Sequence, residues 1–331
     1  MTHPIAIVGG GSAGVMAALR CALNNMPFLL LPGAPADKKR SRALWVRKIE
    51  NIPGHFGYSR GIEEPNAEVL RWIGESPFAG CMDLRRNTGA ARITREADGS
   101  FLILDSKGES HRAQHVLLCT GVMDVQPLVG GDIAPVYPFA NAQLIDYCLR
   151  CDGHHVKDRA TAVIGHTTAA AWVAIMLHER YAPPAMHLLA HGAPFELDAD
   201  VSELLDMYGI RRHTGEIIAF LGDVKLPTFE GVQLADGNSV PLGMAFVSLG
   251  MRIHNDFARA LGAELDPRGF VRADAAGLTS VPGLYVAGDL MAGTKKQVYT
   301  AWDTAVNAAD AVNQKWRALR RAEALANYRA R

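Results

Sequence analysis

Apolar residues in this chain alternate between two kinds of run. Ile5 to Val8 are continuously apolar and short, which reads as a buried strand. Glycines follow at once, then a helix-period pattern through "SAGVMAALRCAL", then a second apolar strand at Phe28–Leu31. The same sequence of patterns returns in "ATAVIGHTTAAAWVAIMLHERYAPPAMHLLA": strand, turn, helix, strand. Between the two units, "ITREADGSFLILDSKGESHRAQHVLL", with Asp98-Gly99 and Lys107-Gly108 as turn signals, predicts a small β-meander. Near the end, "VPGLYVAGDL" (Val281 to Leu290) predicts a strand delivering Gly288-Asp289 to a loop, and an Ala-rich helix starts near Gln297. Strands alternating with helices predict an α/β fold with two three-layer, Rossmann-like units.

The first turn carries chemistry. Gly9, Gly11 and Gly14 fit G-x-G-x-x-G between strand and helix, with Ser12 and Ala13 inside the motif. Such glycines let the backbone turn tightly and approach a pyrophosphate at a helix N-terminus, where free N–H groups and the helix dipole favour anions. The second strand ends in Pro32-Gly33, so the usual carboxylate for a ribose hydroxyl is missing. The second turn keeps only its first glycine, Gly165; Thr167 stands where the next one belongs. A side chain now occupies a place where backbone should meet phosphate.

The chain has 331 residues, 34 basic and 34 acidic, and is 49% hydrophobic, enough for two domains with cores. Balanced charge gives no global case for nucleic acid or a membrane surface. The longest apolar run, "AAAWVAIML", is too short for a membrane span. The N-terminus lacks a basic region and a cleavage site, so no signal peptide is expected. Five cysteines do not suit a secreted disulfide framework, and a cytoplasmic location is expected. Two of them, Cys148 and Cys151, stand two residues apart in "YCLRCDG". In that compartment such a pair is catalytic or metal-binding. The other cysteines stand singly, and His154 and His155 follow the pair too closely to be the second half of a usual zinc site, so no metal is expected.

The order of motifs resembles the low-molecular-weight thioredoxin reductases: GGGSAG at the first turn, "IENIPG" at 49–54, "LLCTG" at 117–121, "CLRCDG" at 148–153, the degenerate turn at 165, and "VAGDL…KKQ" at 286–297. The resemblance spans nearly the whole chain and implies two dinucleotide-binding domains. The FAD domain would be discontinuous, 1–115 and 246–331, with a second domain at 116–245 carrying the cysteines. It implies FAD held by Gly9, Gly11, Ser12, Ala13 and Gly14, with Asn51 on the flavin side and Thr120-Gly121 at a crossing between domains. Gly288 and Asp289 would take the ribityl–phosphate part, and Lys296, Gln297 and Val298 would approach the flavin ring. Cys148–Cys151 would be the redox disulfide, Cys151 facing the flavin and Cys148 exchanging with a partner disulfide. Asp152 would move the proton, a role compatible with capping a helix. His154 and His155 read as partly exposed residues on the same turn. The implied partner is a thioredoxin-like protein or a small disulfide, and a homodimer is expected. Interdomain crossings would act as hinges between two orientations.

The departures concern the electron donor. In NADPH-dependent relatives the strand after the second turn ends in His-Arg-Arg, with a further Arg four residues on. Here those positions fall on Ala190, His191, Gly192 and Glu196. A carboxylate facing the 2′-phosphate costs about 1 kcal/mol or more at close range. NADPH is therefore a poor fit. Ferredoxin, flavodoxin, a second FAD in the vacated site, or NAD(P)H bound in a non-standard way remain as donors. A dithiol oxidase using oxygen, and a redox sensor without turnover, are the alternatives. The basic run "DKKRSR" (Asp37 to Arg42) replaces the family's Gly-Gly-Gln and reads as a solvated loop, and "KWRALRRAEALANYRAR" reads as an amphipathic end helix packed on its own domain.

Overall fold

The computed structural model describes residues 2–331. They form two compact units. The first contains residues 2–44, 62–123 and 253–331; the second contains 45–61 and 124–252.

The first unit is built on a seven-stranded sheet. Thr2–Val8 lies at its centre, parallel to Phe28–Leu31 on one side and to Ser110–Leu118 on the other. Met82–Leu84 extends the sheet beyond Phe28–Leu31, and Leu284–Val286 pairs in parallel with the last residues of Ser110–Leu118. The predicted meander is present. Ala90–Arg95, Phe101–Asp105 and Ser110–Leu118 run antiparallel, with Gly99 and Gly108 at φ 83° and 85° in the turns. The helix Ser12–Leu23 and the long helix Val298–Arg329 cover one face. Ala17, Ala18 and Cys21 of the first pack in one core with Ala301, Ala305, Ala308 and Val312 of the second. Small side chains allow that close approach. Arg20 clamps it at the edge, with Nε and Nη2 donating to the two carboxylate oxygens of Asp310 at 2.7 and 2.9 Å.

The end helix keeps this packing only as far as Trp316. Beyond it Leu319, Leu325 and Tyr328 are exposed, so the expected packing of the whole terminal segment is not found. The apolar positions there are too sparse to make a continuous stripe.

The second unit has a five-stranded parallel sheet in the order Arg211–His213, Met186–Leu189, Thr161–Ile164, Met244–Val247, Ile145–Asp146. The three inner strands are buried throughout, as parallel strands covered on both faces are, with Thr161 and His187 the polar residues in their apolar runs. A second antiparallel meander, Ile217–Leu221, Gly231–Leu234 and Ser239–Pro241, adds to this unit.

The divisions at 123/124 and 252/253 fall several residues later than the sequence places them. Ser110–Leu118 stays in the first sheet to its last residue, and Met244–Val247 stays in the second. Residues 45–61 also go with the second unit. Trp45, 2% exposed, stacks on Tyr137 with ring centroids 4.2 Å apart and anchors that segment.

Candidate active site

The glycine turn of the first unit is shaped by its own steric limits. Gly9 has φ 117°, and a side chain there would collide with the Cys119 carbonyl. A side chain on Gly14 would collide with the Gly9 carbonyl, so this glycine sets how closely the helix crosses the strand. Gly11 differs. It is the N-cap of Ser12–Leu23, and a Cβ there meets nothing within 4 Å. No side chain caps that helix, and its first turn holds no acidic residue. Open space beside uncapped N–H groups is what a pyrophosphate requires. These residues therefore fit the adenine-dinucleotide part of FAD.

Gly288 and Asp289 are brought to the same turn. Gly288 has φ 73°, and a Cβ on it would stand 2.9 Å from that of Ala13. Its N–H donates to Thr304 Oγ1 at 3.0 Å. Asp289 follows in a short 3-10 turn, 3.6 Å from Arg42. Arg42 of the basic run is thus half-buried against Asp289 rather than solvated. Thr120 lies beside Gly9 and donates its hydroxyl to the His254 carbonyl at 2.6 Å; Gly121 has φ 65°. Gln297 caps the long helix, which Val298 begins, and is 6% exposed. Lys296 is held locally: Nζ donates to the Met291 carbonyl at 2.7 Å and lies 4.0 Å over the Phe270 ring. Burial lowers its pKa. Asn51 belongs to the segment 45–61 and so to the second unit.

In the second unit Cys148 and Cys151 form a disulfide, with Cα atoms 5.3 Å apart. Cys148 is the N-cap of the short helix Leu149–Asp152, and its sulfur accepts from the Cys151 N–H at 3.2 Å. Asp152 ends that helix and is 4% exposed. A buried carboxyl adjoining the disulfide suits a group that must take and return protons. The remaining cysteines are unlike this pair. Cys21 and Cys119 are buried free thiols, and burial pushes both well above the ordinary thiol value, which makes them inert.

His155 is partly exposed on the turn Gly153–Val156, as the sequence suggests, but it is held by two carboxylates. Its Nδ1 donates to buried Asp146 at 2.7 Å and its Nε2 to Glu50 at 2.9 Å. The Asp146 hydrogen bond outweighs burial and raises His155 to about 9. His154 Nε2 donates to the same Glu50 oxygen at 2.8 Å. Both imidazoles lower the Glu50 pKa. Nothing in the sequence pairs Glu50 with residues about a hundred positions away.

The degenerate turn explains itself in the structure. Thr167 is the N-cap of Thr168–Tyr181, and its hydroxyl accepts from Ala170 N–H at 3.4 Å. Thr168 N–H donates to the Glu196 carbonyl at 3.0 Å, and Glu196 N–H donates to the His166 carbonyl at 2.8 Å. The chain itself satisfies helix-start groups that a pyrophosphate would use. Gly165 is retained for packing, since a Cβ there would lie 2.5 Å from Ala170 Cβ.

Residues 3–309 match the model of the pyridine nucleotide-disulphide oxidoreductases. The chain belongs to that family. It is 30% identical to thioredoxin reductase sirT of Leptosphaeria maculans, across 93% of this chain and 92% of that protein. It is 26% identical to the thioredoxin reductase of Mycolicibacterium smegmatis, across 90% of this chain and 92% of that protein. Its fold is that of a putative thioredoxin reductase, TrxB, from Bacillus anthracis, with a TM-score of 0.78 at 20% identity over 96% of this chain and 99% of the other. The chain is a flavin-dependent disulfide oxidoreductase with a Cys148–Cys151 disulfide. Among the described residues no helix is long and apolar enough to cross a membrane.

Proposed function

We propose that the enzyme passes two electrons from reduced FAD to the Cys148–Cys151 disulfide, and from the resulting dithiol to the disulfide of a thioredoxin-like protein, with a donor other than NADPH. Two electrons and two protons convert the bound disulfide to two thiols. The Cys148 thiolate then attacks the partner disulfide, and Cys151 closes the ring and releases the reduced partner. Asp152 holds the proton between these steps. Gly9, Gly11, Ser12, Ala13 and Gly14 hold the pyrophosphate of FAD, with Asp289, Gln297 and Val298 toward its flavin end.

One observation carries the choice of donor: the backbone of Glu196 and the hydroxyl of Thr167 bond the N–H groups at the start of the second helix. His191, Gly192 and Glu196 meanwhile stand where phosphate-gripping arginines would be needed. His191 is itself engaged, accepting from the Ile217 N–H at 3.0 Å. Reduced ferredoxin, flavodoxin or a second bound flavin fit this better than a phosphorylated nicotinamide cofactor. The proposal includes a cytoplasmic location and a homodimer.

The test is anaerobic stopped-flow reduction of the bound flavin by NADPH, NADH, reduced ferredoxin, reduced flavodoxin and a small dithiol in turn. Rapid bleaching by a protein donor and none by micromolar NADPH is expected. Rapid reduction by NADPH sinks the donor assignment. Reduction only by the dithiol, followed by fast reoxidation in oxygen, makes the chain a dithiol oxidase instead.

A further inference from the structure

We propose that Glu50, His154 and His155 form a binding site for a divalent d-block cation of the zinc class, immediately after the redox cysteines. Three independent features meet there. One ligand atom from each of Glu50, His154 and His155 lies within 4.8 Å of the others, a spacing that one ion can span. Both imidazoles aim the same nitrogen, Nε2, at the same carboxylate oxygen, at 2.8 and 2.9 Å. The far nitrogen of His155, Nδ1, is fixed by the buried carboxylate of Asp146 at 2.7 Å.

The last feature separates a ligand set from an ordinary ion pair. Metal-binding histidines generally give their second ring N–H to a carboxylate or carbonyl, which sets the tautomer and turns the other nitrogen's lone pair toward the metal. Asp146 stands in that place. Two imidazoles and one carboxylate, with a solvent position left over, is a donor set that zinc accepts. Glu50 and Asp146 together balance the charge of a dication. His154 is half-exposed and His155 is 15% exposed, so an ion can enter from the His154 side.

The other cluster of this kind among the described residues does not qualify. Asp105, Glu109 and His111 also lie within ligand distance. There, however, Asp105 Oδ1 accepts from the backbone N–H groups of Lys107 and Glu109, and Oδ2 accepts from His111. That carboxylate is used up in holding the hairpin turn. Glu50 has no such structural duty in its irregular segment.

A cation here would tie residues 45–61 to the turn Gly153–Val156, which directly follows the helix carrying Cys151. Binding the folded state, it would also raise the unfolding temperature. The site is independent of which donor reduces the enzyme, so its failure leaves the proposed function untouched.

The experiment is calorimetric titration of the purified protein, disulfide intact, with zinc chloride, and with magnesium chloride as control. One zinc per chain at micromolar concentration is expected, with no magnesium bound. His154→Ala and Glu50→Gln should abolish it, and Asp146→Asn should weaken it roughly 10- to 100-fold. Cys148→Ser/Cys151→Ser should bind as well as the parent, which separates this site from zinc captured by thiolates. Unfolding temperatures without metal report whether each variant is folded; His154→Ala removes an exposed side chain and tests the site even if Glu50→Gln misfolds. Zinc binding unchanged in His154→Ala, zinc binding lost with the cysteines, or no zinc bound at all each overturns the proposal.

Discussion

Gly11→Ala and Gly14→Ala test the flavin cradle by separating folding from binding. A Cβ on Gly14 collides with the Gly9 carbonyl, which is backbone and cannot yield without moving the strand–helix crossing. That variant should lose more than about 3 kcal/mol, at the upper end for overpacking. A Cβ on Gly11 meets no atom within 4 Å, and the residue's φ of −77° suits alanine. For folding, the N-cap preference costs alanine about 0.5 kcal/mol. Restricting the unfolded chain returns a similar amount, about 0.4–1 kcal/mol. The apo-protein should therefore unfold at nearly the parental temperature. The same methyl group fills the space that a pyrophosphate would enter, and a contact of that kind costs about 1–3 kcal/mol, or roughly 5- to 150-fold in affinity. Thermal unfolding of the apo-protein and FAD titration by flavin fluorescence measure the two effects separately. Gly11→Ala binding FAD as tightly as the parent would refute the placement of the pyrophosphate at this turn.

Cys151→Ser should prevent electrons from leaving the flavin for the disulfide, while Cys148→Ser should abolish turnover with a protein disulfide; full turnover by Cys148→Ser in a coupled thioredoxin assay rules out its role in exchange. Asp310→Ala removes both Arg20 hydrogen bonds and one from Asn24; the groups are about a third exposed, so solvent screening holds the expected loss to about 1 kcal/mol, read as a lower urea midpoint at unchanged slope. His187 is 2% exposed and shares a hydrogen bond with His213 at 3.0 Å, and burial lowers its pKa from 6.5 to about 4. The unfolded chain therefore binds a proton between those values that the folded chain refuses, and stability falls as pH drops from 6.5 toward 4, by up to about 3 kcal/mol. His187→Gln should flatten that part of the stability–pH curve; an unchanged slope in urea melts across the range would show that this histidine is not its source.

What could be read from the sequence was local. The Gly9 turn, the hairpin turns at Gly99 and Gly108, and the spacing of Cys148 and Cys151 each lie within a few residues, where backbone sterics and covalent geometry decide the outcome. The start of the long helix at Gln297 was legible for the same reason. What could not be read depends on distant partners. Glu50 meets His154 and His155 across 104 and 105 positions, and no periodicity encodes that pairing. Trp45 draws segment 45–61 into the second unit by stacking on Tyr137, although "IENIPG" had been grouped by resemblance with the flavin side. Arg42 looked like part of a solvated basic loop until Asp289 was found beside it. In each case the partner lies too far along the chain for a local pattern to encode it.

The second glycine turn shows how a degenerate motif differs from a merely eroded one. Loss of the middle glycine alone would leave helix-start N–H groups open to solvent, still able to bind an anion. Here the replacement supplies its own acceptor: the Thr167 hydroxyl takes Ala170 N–H, and an isolated parallel bridge between Thr167 and Glu196 brings a carbonyl to Thr168 N–H. Asp198 N–H then donates to Thr168 Oγ1 at 2.9 Å, so the segment after the second strand is folded back onto the helix start by several bonds at once. A pyrophosphate would have to displace this whole set, each bond contributing about 1 kcal/mol net. Restoring glycine at 167 would therefore remove a cap without opening the cradle, because the Glu196 carbonyl stays in place. On this reasoning Thr167→Gly alone gains no reduction by NADPH in the stopped-flow assay, and a gain would mean that the hydroxyl, rather than the Glu196 segment, is what keeps the nucleotide out.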